Sequence, residues 1–110
     1  MSSCNVASKF VGQTVTLEAI PGNGPSGTVY NVNFYKQIGG SNQNIGEYNG
    51  TGSQAMVTQP FTTIDIGSVV FYSIVSYTCS DGSVKSVTSP SCTVIVTEEC
   101  NNPTVEFNVY

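Results

Sequence analysis

Four cysteines, Cys4, Cys79, Cys92 and Cys100, are the residues whose chemistry is plainest in this sequence. An even number of thiols in a small chain rich in Ser, Thr and Asn fits an oxidising compartment, where they close into disulfides. Free thiols and zinc are the competing readings, and there is no His and no Cys-x-x-Cys pair to hold a metal. All four are therefore disulfide candidates, and no metal or cofactor is expected. The lack of His also removes the usual base for a Ser or Cys nucleophile. Glu98-Glu99 is the only adjacent carboxylate pair. Neighbours on a strand point to opposite faces, so these two do not make the facing pair that glycoside hydrolysis needs. Asp65 and Asp81 together fall short of the roughly six to eight oxygens that calcium takes. Asp65 is read instead as bonding to the backbone of its own corner. No catalytic residue is assigned, and the chain is read as a non-enzyme.

Three further groups invite a binding or modification role. Tyr30, Tyr35, Tyr48 and Tyr72 could form a platform on which sugar rings stack, although tyrosines also fill outer sheet faces and sandwich ends. Asn49-Gly50-Thr51 is an N-glycosylation acceptor, expected on a hairpin tip. Lys9, Asn108 and Glu18 are the residue types of an intramolecular isopeptide bond, with no diagnostic motif around them.

These side chains must be positioned by strands. Apolar and polar residues alternate along Val15-Thr16-Leu17-Glu18-Ala19 and along residues 29–36, as in half-buried strands. Residues 69–79 form the strongest strand signal. Residues 83–97 form the last main one, broken near Ser89-Pro90, because Pro90 has no N–H to give to a ladder. Gly39-Gly40, Asn49-Gly50 and Asp81-Gly82 supply the turn chemistry between them. No amphipathic helical stretch intervenes, so the expected class is an all-β antiparallel sandwich of about seven strands.

At 110 residues the chain can bury one core. Only 9% of residues are charged, and the net charge is -4 with no Arg. Such a surface offers nothing to a phosphate backbone, which argues against nucleic acid, and it opposes self-association only weakly. No run approaches the ~20 apolar residues of a membrane-spanning helix. Met1-Ser2-Ser3-Cys4 has neither the basic nor the apolar region of a secretory signal, so export would rely on a signal already removed.

Several of these segments resemble one family in order and spacing. Gly12-Gln13-Thr14-Val15-Thr16-Leu17-Glu18-Ala19 resembles the second strand of immunoglobulin-like repeats (PKD and bacterial Ig-like) of prokaryotic surface proteins. Asn33-Phe34-Tyr35-Lys36 is similar to the Trp-Tyr-Lys segment of their third strand, with Phe34 in the Trp position. Asp65-Ile66-Gly67, then residues 71–79 and Ser80-Asp81-Gly82, resemble their corner, sixth strand and hairpin. The resemblance covers roughly residues 6–97. It implies an immunoglobulin-like sandwich at the cell surface or outside the cell and leaves the ligand open. No Cys lies in the second strand, which excludes the antibody-type disulfide.

In a sandwich of that type Cys4 and Cys79 belong near one pole and Cys100 near the other, with Cys92 between. Two connectivities stay open: Cys79–Cys92 with Cys4–Cys100, or Cys4–Cys79 with Cys92–Cys100. The first is preferred, with Cys79–Cys92 internal and Cys4–Cys100 joining neighbouring copies. Residues 1–100 are taken as the sandwich and residues 101–110 as an extra C-terminal strand, the start of a next repeat or a donor strand. Its alternating Val105, Phe107 and Val109 are the donor-strand candidates. The expected role is a structural module of an extracellular surface protein, filament or pilus. Its partners would be other copies of itself or adjacent repeats; glycans bound through surface tyrosines, in an adhesion module, are the alternative.

Overall fold

The computed structural model describes residues 8–22, 24–52, 54–98 and 104–110. Eight strands form two facing sheets: β1 (Ser8–Phe10), β2 (Thr14–Ala19), β3 (Tyr30–Ile38), β4 (Ser41–Gly50), β5 (Ala55–Pro60), β6 (Gly67–Thr78), β7 (Val84–Thr88) and β8 (Cys92–Thr97). The larger sheet runs β1-β8-β6-β3-β4, with β7 also on β6; β2 and β5 make the smaller one. A single 3-10 turn, Thr63–Asp65, is the only helical element among the described residues. The all-β sandwich is therefore as expected, with one departure from antiparallel pairing: β1 runs parallel to β8.

The eighth strand arises where the last long run divides. β7 pairs with residues 74–78 of β6 and β8 with residues 67–71, and the register slips by one residue between them. Pro90 sits at the slip. Ser73 N–H donates to Ser89 Oγ (2.9 Å), while Ser89 N–H donates to Ser73 O (2.8 Å). A hydroxyl thus accepts the bond that the interrupted ladder no longer provides. The run is broken at Pro90, as expected, and both of its halves stay in the larger sheet.

Turn chemistry sets the hairpins. Gly39 and Gly40, both at positive φ (56° and 87°), form the two-residue link between β3 and β4. Ser80-Asp81-Gly82 closes β6 onto β7, with Gly82 at φ 87°, Cys79 N–H donating to Ser83 O and Asp81 Oδ1 accepting from Ser83 N–H. The Asn49-Gly50 pair makes no turn. Both residues remain in β4, and the reversal comes later, at Gly52 (φ 98°).

The core fills from the inward positions of both sheets. Val15, Phe61, Val69, Phe71, Val94 and Val96 form one buried cluster. Val32, Phe34 and Ala55 form another, bridged to the first by Leu17 and Ile45. Where β4 crosses over β5 there is little room for a side chain: a Cβ on Gly46 would lie 3.2 Å from Val57 Cγ2 and 3.7 Å from Phe34 Cδ2.

Candidate functional site

The tail is the feature least accounted for by the fold. Residues 104–110 pair with no strand among the described residues, and Val105, Phe107 and Val109 are 88%, 83% and 83% exposed. One apolar face of an alternating segment therefore stands in water. Asn108 stands in this exposed tail whereas Lys9 lies in β1, so the isopeptide residues are not assembled as a site. Asn101, Asn102 and Pro103, and with them the boundary between the two expected segments, lie outside the described residues.

The sandwich meanwhile has open edges. β2 and β5 pair only with each other, β7 only with β6, and β4 only with β3, among the described residues. The β4 edge is polar, with Asn42, Gln43, Asn44 and Glu47 exposed, and the β7 edge carries exposed Lys85. Both are features that discourage strand addition from outside. The β2 edge has Thr14, Thr16 and Glu18 on its outer face and Val15, Leu17 and Ala19 facing the core.

The cysteines do not pair as preferred. Cys79 carries a free thiol at the end of β6, lining a shallow cleft with Pro25, Thr28 and Tyr77. Cys92 lies opposite Phe71, eight residues back along β6. Eight strand residues span about 27 Å, far beyond the ~7 Å Cα separation a disulfide permits. The Cys79–Cys92 bond is thus excluded, although Cys92 itself is not a free thiol. Cys4 and Cys100 lie outside the described residues.

The tyrosines separate onto two faces. Tyr30 is buried on the inner face, edge-on to Tyr77 at 5.7 Å, with its hydroxyl accepting from Gly24 N–H (2.7 Å). Tyr48, opposite Val32, shares that inner face. Tyr35 and Tyr72 stand on the outer face, stacked at 5.2 Å and 15°, and Tyr72 Oη donates to Asn42 Oδ1 (2.9 Å). A ladder of amides continues from there: Asn44 Nδ2 donates to Asn33 Oδ1, Asn33 Nδ2 to Asn31 Oδ1, and Asn31 Nδ2 to both Glu47 and Asn49. A four-ring platform does not form; a half-buried pair beside a self-bonded polar face does. Asn49 is exposed within β4 rather than on a hairpin tip.

A buried ion pair, which alternation alone left unassigned, closes the corner before β6. Lys36 Nζ lies 3.0 Å from Asp65 Oδ1. Asp65 Oδ2 accepts from Thr62 N–H (2.7 Å), and Asp65 N–H donates back to Thr62 O (3.0 Å). The expected corner role of Asp65 is therefore present, with a partner added. Burial pushes its carboxyl up. The Thr62 N–H bond and the Lys36 ammonium outweigh that and leave it below the usual value. The signal for this pair was in the sequence: Lys36 follows Tyr30, Val32 and Phe34 at period two, so it had to point inward and needed a buried partner. Asp81 is separately engaged by Ser83, and no group of three or more potential metal ligands occurs among the described residues.

No protein-family model matches the chain, and no curated protein is similar to it in sequence.

Proposed function

We propose that this chain is a structural module of an extracellular surface protein or filament, built on an immunoglobulin-like sandwich, which joins further copies or adjacent repeats by donating its C-terminal segment as a strand. The exposed apolar face of Val105, Phe107 and Val109 carries this reading. Apolar surface left in water forgoes about 25 cal/mol for each Å² that burial would recover. Addition to a sheet edge buries that face and pairs the segment's backbone groups in one step. The low charge supports the reading, because little repulsion opposes packing of like copies.

Removal of residues 101–110 tests the proposal. The expected outcome is a shift to monomer in sedimentation equilibrium. An unchanged assembly state together with an unchanged thermal midpoint would show that no strand is donated.

A second reading, glycan binding, draws on the Tyr35–Tyr72 pair and the amides beside it. A glycan array probed with the protein and with Tyr35→Ala separates the two, since loss of the ring would abolish sugar binding and leave assembly intact.

A further inference from the structure

The smaller sheet leaves part of the larger one uncovered. We propose that this strip, beside the free edge of β2, is the acceptor for the tail of a second copy. The inference rests on the strand-donation reading and names its docking site. Residues directly opposite in antiparallel strands share a face. Val32, Val75 and Val87 form one such row across β3, β6 and β7, so all three point toward the smaller sheet. Their exposure rises along the row: Val32 is fully buried, Val75 half-buried, and Val87 64% exposed. Toward the other pole the same face is closed, with Val94 and Val96 buried against Val15 and Phe61.

β2 is the strand bordering this gap. β5 lies on the β4 side of the sandwich, where Val57 meets Gly46, so β2 lies on the β6–β7 side. A strand added to its edge would run about 4.8 Å beyond β2 and about 10 Å above the larger sheet, over Val87. The tail fits this lane in length and pattern. β2 has six residues and the tail segment 104–110 seven, and period-two alternation turns Val105, Phe107 and Val109 inward together while Glu106 and Asn108 face water. Addition at β7 itself would only widen the larger sheet and leave Val87 uncovered.

The occupant is a second copy, because the tail does not close the gap in its own molecule. Residues 104–110 pair with no strand among the described residues, and Val105, Phe107 and Val109 stay exposed. Tail into lane is a heterologous contact, which repeats head to tail into an open chain of subunits.

Single substitutions on each side test this in the full chain. Phe107→Asp cripples the donor and Val87→Asp the acceptor, and each should weaken self-association at least about tenfold in sedimentation equilibrium, the cost of a buried charge. Mixed, the two variants should recover a 1:1 dimer and no larger species, since one intact tail then meets one intact lane. Ser86→Asp, on the opposite face of β7, should associate like the unaltered protein, and thermal midpoints identify any variant that has lost its fold. Val87→Ala keeps the test open if Val87→Asp unfolds, with a smaller weakening expected. If Phe107→Asp abolishes association while neither Val87 variant alters it, the tail is donated elsewhere and the lane is wrong. If Phe107→Asp has no effect, strand donation itself fails.

Discussion

Lys36 Nζ and Asp65 Oδ1 meet at 3.0 Å in the interior, joining the third strand to the corner that precedes the sixth. Lys36 is 8% exposed and Asp65 1%. Each charge depends on the other, because taking an ion out of water is costly unless it is paired. Asp65→Ala removes both the pair and the corner bonds and should cost about 3–5 kcal/mol. In a Lys36→Met background the same change should cost much less, nearer the ~1 kcal/mol of a lost cap. Urea unfolding of the four proteins in this cycle measures the coupling, and additive costs would show that the pair contributes nothing.

The same carboxyl makes stability fall in acid. Its folded-state pKa is depressed, so the ionised group stabilises the fold fully above the unfolded value, near 3.9, and loses that contribution as pH falls through the lower folded value. Thermal midpoints should be level down to about pH 5 and drop below about pH 4. Asp65→Asn should be less stable at neutral pH and show a shallower acid drop. Equal acid slopes for both proteins would place the loss at other carboxyls.

Gly46 tests how closely β4 approaches β5. With Val57 Cγ2 3.2 Å from the position of a Cβ, Ala fits only after a small shift and Leu does not fit at all. Gly46→Leu should destabilise by about 1–3 kcal/mol, the usual cost of overpacking, and Val57→Ala should recover part of it. Denaturant midpoints read both effects.

Cys79 should react with a maleimide in the native, unreduced protein, because its thiol is free and partly exposed. Peptide mapping should find the label at Cys79 and not at Cys92. Protection of Cys79 would mean that it is bonded or shielded in an assembly, which labelling of a dilute sample distinguishes.

Much of the fold was legible because side-chain alternation and turn residues are local. Val15, Leu17 and Ala19 face inward as their spacing requires, and Pro90 breaks its strand because it lacks an N–H. The cysteines show where local reading stopped short. Asp81-Gly82 already implied a hairpin that sets Ser83 opposite Cys79, which moves Cys92 far down the ladder. Likewise Tyr30 and Tyr48 fall on the core side of the alternation, which left only Tyr35 and Tyr72 for an outer platform.

By itself the sequence determined the β class, most strand positions, the inward and outward faces and the unusual alternating tail, since each depends on neighbours within a few residues. Only the tertiary structure decided that Lys36 finds Asp65 across 29 positions, that β1 lies parallel to β8, and that the smaller sheet stops short of Val87. Those outcomes depend on how two twisted sheets are laid over one another, and no local pattern encodes that distance.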